Sequence, residues 1–490
     1  MKTLTPILFD VLKKPKIKTY LPIFVIILFS VLLRINIGKY PYTKDEASTL
    51  LYIKRGINTF SKEFILSTKR PPFQYHLAQI MHRAGFSLNN EFLIRLPYAL
   101  AGTTTIIILY LYLLKITDNK TASLFGALIF AFNGLTVALG KIVQYQPFVM
   151  LFSSICLYLF YDYYQTKSLK SLLLGSISFT LGFMFHWDIV FIGPIILFYT
   201  FKKLNPSHLF LFILSALPLL ILYVLPYFKL QQGALADGYL LDRLGLINLK
   251  IINDRIKDYN YIIKLYNPFL FSSFFIFSVI FGMLSLSKNR YEYIWYIFTI
   301  GIFFLFIKSP GTHVYNALFP LVAGFSISYA VLLNKLRIFR KLFILLPIII
   351  LAFMFYQSYL IFVDFSKEYP LQKENILGLF ETAEYTSENS SRYMIGFPAD
   401  RYFEEAQTIL KEKFLDYDDY SFITNDNTKI AEFYLDLHEG DSDKMFIFAV
   451  KDPTNFVTDA KFKEYRNKKE VLKLKNAHGR TMNKVYTWYK

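Results

Sequence analysis

Long apolar runs separated by short charged loops fill the chain as far as about residue 363, and the pattern then changes. Candidate spans are 20–37, 93–114, 122–139, 147–164, 171–185, 189–201, 208–228, 267–286, 291–307, 313–333 and 342–362. A helix needs roughly 17–25 apolar residues to cross a bilayer. The runs 171–185 and 189–201 are short for that and read either as two short helices or as one bent span. The pattern predicts an α-helical polytopic membrane core, residues 1–363, with about eleven spans. Beyond it, residues 364–490 form a small soluble α/β domain. Its strand-like runs are Arg392–Phe397, Tyr420–Thr424, Lys444–Val450, Val471–Lys475 and Lys484–Tyr489, with helical patterns at Tyr402–Phe414 and Thr428–Leu437. Strands alternating with helices suggest a small sheet covered on a face.

Composition agrees with a membrane core. The 490 residues are 54% hydrophobic and 19% aromatic, above the roughly 45–50% apolar content of soluble domains. The net charge of +18 does not indicate nucleic acid, because many of the basic residues sit in the loops between apolar runs. Lys13, Lys14, Lys16 and Lys18 precede the first span, and Lys115, Lys120, Lys167, Lys170, Lys202, Lys203, Lys288, Arg290, Lys335, Arg337, Arg340 and Lys341 mark alternate loops. Basic loops stay in the cytoplasm. This layout puts loop 38–92, loop 229–265 and residues 364–490 together on the extracytoplasmic side of a plasma or inner membrane. The single cysteine, Cys156, lies in an apolar run, so the tail domain holds no disulfide. Arg34 and Asp162 lie near span ends, where snorkelling to the interface is the simplest expectation.

Loop 38–92 carries the chemistry. Asp45-Glu46 falls about eight residues beyond the first span, which keeps both carboxylates near the bilayer surface. Lys69-Arg70-Pro71-Pro72 follows, and then an amphipathic helix with Phe73, Leu77, Ile80, Met81 and Ala84 on one face. Such a helix lies in the interface plane. A sugar on a lipid phosphate has its reactive carbon at this depth. Its transfer needs a base for the acceptor proton and positive charge for the departing phosphate. Asp45 is the natural base, and Arg70 the natural phosphate partner. On residue types alone, the two charged pairs could equally be solvated loop surface.

Three motifs carry a resemblance. Tyr42-Thr43-Lys44-Asp45-Glu46-Ala47, Lys69-Arg70-Pro71-Pro72-Phe73 and Ile94-Arg95-Leu96-Pro97-Tyr98-Ala99-Leu100 together resemble the GT-C glycosyltransferases. The closest resemblance is to the branch of protein O-mannosyltransferases and bacterial aminoarabinose transferases. The resemblance implies Asp45 as the catalytic acidic residue with Glu46 beside it, and Arg70 with Lys69 at the donor phosphate. Lys141, Gln144 and Tyr145 fall in a segment similar to a polar family motif, although Gln146-Pro147-Phe148 stands where the family often has Arg-Pro-Tyr. His186, His313 and Tyr315 fall in polar clusters at outer span ends, as similar clusters do in the family. Each histidine could instead anchor the interface beside an aromatic residue.

The resemblance implies an inverting transfer from a polyprenyl-phosphate-linked sugar to a lipid, glycan or protein acceptor. No cofactor is required by the sequence. A divalent metal is neither demanded nor excluded, the acidic residues being few and scattered for a hard-cation site. A transporter or flippase for lipid-linked glycans is the alternative, although the chain lacks the paired broken helices and intramembrane charges of that class. A membrane scaffold is a third reading.

Overall fold

The computed structural model describes residues 15–67, 71–202, 206–208, 210, 217, 265–266, 295, 298–299, 311–335, 338, 340–364, 375–376, 380–381, 395–398, 400–440, 442–450, 469–476 and 479–489. The expected spans 208–228, 267–286 and 291–307 fall almost wholly outside these residues, as do loop 229–265 and the pair Lys69 and Arg70.

The first span is α1 (Pro15–Leu32). Loop 38–92 folds into α2 (Lys44–Lys54), α3 (Lys62–Ser67) and α4 (Phe73–Arg83). The core continues with α5 (Glu91–Thr117), α6 (Lys120–Phe132), α7 (Gly134–Leu139), α8 (Gln146–Thr166), α9 (Leu169–Phe185) and α10 (Gly193–Phe201), followed by α11 (Leu318–Lys335) and α12 (Arg340–Phe362). Among the described residues, Glu91–Thr117, Gly311–Lys335 and Arg340–Phe362 are long and apolar enough to cross a membrane. Shorter apolar helices accompany them.

One expected span divides. Run 122–139 is not one helix. Asn133 is extended between α6 and α7, and its side chain accepts from the Leu135 amide, starting α7 afresh. Run 171–201 is two helices, because His186 is extended and a 3-10 turn, Trp187–Ile192, follows it. Arg34 does not snorkel. It is buried, and its guanidinium donates to the carbonyls of Ser30 at 3.1 Å, Gly140 at 3.3 Å and Thr136 at 3.5 Å. A cation on those carbonyls satisfies the C-terminal end of α7. Asp162 is paired with Lys115 and accepts from the Ser171 hydroxyl.

Gly102 of α5 allows a close approach at this point. A Cβ there would lie 2.1 Å from the Gly140 carbonyl oxygen. The segment 140–146, between α7 and α8, is therefore held directly against α5.

The tail domain follows its sequence pattern closely. Helix α13 is Phe403–Lys413 and α14 is Thr428–Leu435. Two short strands, β1 (Asn375–Ile376) and β2 (Phe380–Glu381), pair antiparallel. The main sheet has strands β3 (Ser421–Thr424), β4 (Lys444–Val450), β5 (Lys469–Lys475) and β6 (Thr481–Tyr489) in the order β3-β4-β6-β5. The β3–β4 pair is parallel and joined through α14, while the other pairs are antiparallel. No strand forms at 395–397, the described part of the first expected run.

The tail and loop 38–92 share one apolar core. Tyr42, Leu50, Ile53, Ala78 and Tyr98 belong to the same buried cluster as Phe403, Leu410, Phe433, Phe446 and Phe448. Polar ties reinforce it. The Tyr434 hydroxyl accepts from the Tyr42 amide at 2.6 Å and donates to the Glu91 carboxylate at 2.9 Å. Lys54 pairs with Asp436, and Arg55 with Glu432. Tyr434→Phe leaves a buried amide without its acceptor, so stability is expected to fall by about 1–3 kcal/mol. Equilibrium unfolding of the purified protein checks this, and an unchanged midpoint would remove the hydroxyl from the tail's attachment.

Candidate active site

The first site element is an ion pair. Thr43 precedes α2, and Glu46 in its first turn reaches back to accept from the Thr43 amide at 2.9 Å. This is one half of a capping box. Arg95, one turn into α5, meets the same carboxylate in a bidentate pair. Its Nε lies 2.8 Å from Oε1 and its Nη2 lies 2.8 Å from Oε2. The guanidinium also donates to the carbonyls of Ile37 at 2.7 Å, Tyr40 at 2.8 Å and Pro41 at 3.0 Å. All five of its N–H groups are thus used. Both side chains are fully buried. The Val143 amide adds a hydrogen bond to Glu46 Oε1 at 2.9 Å. This clamp ties together the stretch after the first span, the start of α2, the start of α5 and the segment 140–146.

Asp45 is the residue before Glu46, and consecutive helical side chains point about 100° apart. Asp45 is half-buried, and among the described residues its carboxylate makes no hydrogen bond or ion pair. Only its main-chain carbonyl is engaged, by the Thr49 hydroxyl at 3.0 Å. The adjacent acids therefore differ. One is spent on the scaffold, and the other is held in place with its oxygens uncommitted.

Segment 140–146 runs from this clamp to a second cluster. Tyr145 stacks on His186 with ring centroids 3.8 Å apart, and its hydroxyl lies 3.5 Å from His313 Nδ1. Asp188 sits at the centre of this cluster. Its Oδ1 lies 2.8 Å from His186 Nδ1, and its Oδ2 lies 2.7 Å from His313 Nδ1. The Tyr315 hydroxyl and the Asn316 amide also donate to Oδ2, at 3.0 and 3.3 Å. The His186–Asp188 turn and the 3-10 turn Gly311–Ala317 thus bring residues 125 positions apart onto one carboxylate.

The acids and histidines are less scattered than the sequence suggested. His186, Asp188 and His313 each offer a ligand atom, all within 4.8 Å of one another. Two imidazoles and one carboxylate suit zinc or another first-row transition metal better than magnesium or calcium. The same atoms also satisfy Asp188 through hydrogen bonds alone.

Lys141 is buried. It donates to the Phe362 carbonyl at 2.9 Å, at the end of α12, and lies over the Tyr40 ring. Burial, with Arg95 and Arg34 nearby, pulls its pKa well below the usual lysine range. Its position is that of a cap on the last core helix. Gln144 is buried beside the clamp. The sequence reading gave no role to Arg95, although Arg95-Leu96-Pro97 was among its motifs, and Asp188 was seen only as part of a polar cluster. A fixed Arg before a helix proline and an acid between two aromatic-flanked positions were the available signals.

Helix α4 divides its residues between the core and the surface. Gln74, Tyr75, His76, Ala78, Gln79 and Met81 are buried, whereas Ile80 is 52% exposed. Of the expected apolar face, Met81 is buried, Phe73 and Leu77 are half-buried against the core, and Ile80 and Ala84 are exposed.

The chain has an ArnT-like fold. ArnT from Cupriavidus metallidurans in the apo state aligns over 96% of this chain and 98% of its own, with a TM-score of 0.57 and 11% identity. ArnT of the same organism bound to undecaprenyl phosphate aligns over 95% and 97%, with a TM-score of 0.56 and 9% identity. The dolichyl-phosphate-mannose-protein mannosyltransferase family matches residues 69–226. No curated protein sequence matches the chain.

Proposed function

We propose that this protein transfers a sugar from a polyprenyl-phosphate donor to an acceptor hydroxyl or amine at the extracytoplasmic face of the membrane. The observation that carries the reading is the Asp45 carboxylate, which has no hydrogen bond or ion pair among the described residues and stands beside the Glu46–Arg95 clamp in a GT-C fold. The fold relative bound to undecaprenyl phosphate and the family match over residues 69–226 support the donor class.

Asp45 takes the acceptor proton as the acceptor atom attacks the anomeric carbon. The bond from that carbon to the phosphate oxygen breaks, and polyprenyl phosphate leaves with the bonding pair. Attack from the opposite face inverts the anomeric centre. Arg70, with Lys69, meets the charge that builds on the leaving phosphate. Glu46 is a positioning residue for Asp45. Tyr145, His186, His313 and Tyr315 form the wall organised by Asp188, and a transition metal bound there would supply further positive charge. Residues 364–490 cover the site and help bind the acceptor.

Arg70→Ala is expected to lower donor affinity and rate more than Arg70→Lys, because lysine keeps the charge and loses the fork. A charged hydrogen bond to phosphate contributes about 1.5–3 kcal/mol. Equal, minor losses in Arg70→Ala and Lys69→Ala at matched folded protein would remove the phosphate role.

Sidedness is tested at Leu415, which is fully exposed on the tail domain. In a Cys156→Ser background, Leu415→Cys is expected to react with an impermeant thiol reagent in intact cells. Reaction only after permeabilisation would place the tail, and the site it packs against, in the cytoplasm.

A further inference from the structure

Two histidines on one buried carboxylate call for an account of its charge. Asp188 is buried, and among the described residues no lysine or arginine pairs with it. A buried carboxylate is costly unless a positive partner stands beside it. The groups beside this one are imidazoles, with His186 Nδ1 2.8 Å from one oxygen and His313 Nδ1 2.7 Å from the other. Two arrangements fit these atoms. In the first, each imidazole carries a proton on Nδ1 and donates it to Asp188. In the second, a metal ion takes the place of those protons, and all three groups face it.

Charge favours the second. A divalent ion offsets the carboxylate while both imidazoles stay neutral, the form in which histidine binds metals. It also uses both histidines, whereas one imidazolium would suffice for an ion pair. Spacing agrees. One donor atom from each of the three residues lies within 4.8 Å of the others. Zinc holds imidazole nitrogen and carboxylate oxygen at about 2.0–2.2 Å, so a tetrahedral ion sets two imidazole centroids about 5 Å apart. The His186 and His313 centroids are 5.5 Å apart. The two nitrogen–oxygen separations open by about half an ångström to admit the ion.

The surroundings are those of a held ligand set. The Tyr315 hydroxyl and the Asn316 amide donate to Asp188 Oδ2 at 3.0 and 3.3 Å. Asn316 also donates to the His313 carbonyl at 2.9 Å, which fixes the turn that presents this histidine. The Tyr145 ring, stacked at 3.8 Å, fixes the plane of His186. Carboxylates that bind metals are oriented by hydrogen bonds of this kind. The His313 side chain is 16% exposed, which gives an ion a way in.

We propose that His186, Asp188 and His313 bind one first-row transition-metal ion of the zinc class. Two nitrogens and one oxygen are a poor set for magnesium or calcium, which take oxygen ligands. Three protein ligands leave one position for water, as in open zinc sites. The ion cross-links the turn after α9 to the turn before α11, so it stabilises the fold whether or not a donor is bound. The assignment goes beyond the transferase reading and does not depend on it.

The test uses the full chain in lipid nanodiscs, purified without a polyhistidine tag and stripped with a chelator. Titration calorimetry is expected to give one zinc per chain, and a large excess of magnesium should not displace it. Cobalt(II) should bind in its place and show the visible absorption of a four-coordinate site. Stripping should lower the melting temperature and zinc should restore it, because a ligand that binds only the folded state stabilises it. His186→Gln and His313→Gln should each weaken zinc by more than about a hundredfold, and Tyr315→Phe by about tenfold, the usual range for a group that orients a ligand. If a histidine variant does not fold, Tyr315→Phe and the stripped wild type decide. A wild type that takes up no stoichiometric zinc would overturn the proposal and leave Asp188 held by hydrogen bonds. So would zinc that binds the three variants as tightly as wild type, or that magnesium displaces. A chain that binds zinc in this way and moves no sugar keeps the ion and loses the transferase reading.

Discussion

Asp45→Asn is expected to lower turnover by about 10²–10⁴-fold, the usual contribution of a general base, with the fold and donor affinity intact. The amide has the shape of the carboxylate and cannot take the acceptor proton. Little else should change, because the Asp45 carboxylate has no hydrogen bond or ion pair among the described residues and the side chain is half-buried. The loss should therefore appear in kcat and leave KM nearly unchanged, since binding does not depend on the missing proton acceptor. Steady-state rates and the unfolding midpoint, measured on the same preparation, check both halves. Near-normal turnover would remove Asp45 from the mechanism. A collapse of the midpoint would make it structural.

The second large effect falls on stability. Glu46→Gln or Arg95→Leu breaks a fully buried bidentate pair. Removing one partner of such a pair costs about 3–5 kcal/mol, because the other charge stays buried. Arg95→Leu should be the worse of the two. It also takes the donors from the carbonyls of Ile37, Tyr40 and Pro41. Equilibrium unfolding in a fixed detergent and lipid mixture reads this, and a loss below about 1 kcal/mol would contradict a clamp. The pH dependence has a definite sign. Burial pushes the Glu46 carboxyl up, but the Arg95 charge and hydrogen bond and the Thr43 and Val143 amides bring it below its ordinary value. A carboxylate depressed in the folded state stabilises above its unfolded pKa and loses that contribution as pH falls through its folded one. The gap between wild type and Glu46→Gln should be complete at neutral pH and close only on acidification below about pH 4. The adjacent acids should thus separate cleanly, with Asp45 affecting rate and Glu46 affecting stability.

The tail domain was legible because its strands and helices follow local periods. The runs at Tyr420–Thr424 and Lys444–Val450 became β3 and β4 nearly residue for residue. The site was legible only as far as motifs are contiguous. Asp45 and Glu46 stand together in the sequence, but their division of labour depends on Arg95, 49 residues away. Nothing local marks Glu46 as the partner. Asp188 likewise owes its position to a break at His186 and to a turn far along the chain. The apolar stripe of α4 was read with the right period, and its residues divide between the core and the surface. Periodicity identifies a face but does not distinguish lipid from protein on the other side of it. The break at Asn133 was missed because apolar composition continues through it while the backbone turns extended, whereas the break at His186 falls in the gap between runs 171–185 and 189–201.

Purified protein in nanodiscs, supplied with a radiolabelled polyprenyl-phosphate sugar pool and a mixture of envelope acceptors, tests the central claim most directly. The expected result is that label leaves the lipid phosphate and becomes covalently attached to an acceptor. Free polyprenyl phosphate should appear in equal amount, and Asp45→Asn should stop both. Label that remains on intact lipid-phosphate sugar in the wild type, or that only changes leaflet, would contradict a transferase and leave a protein that carries its lipid without reacting it.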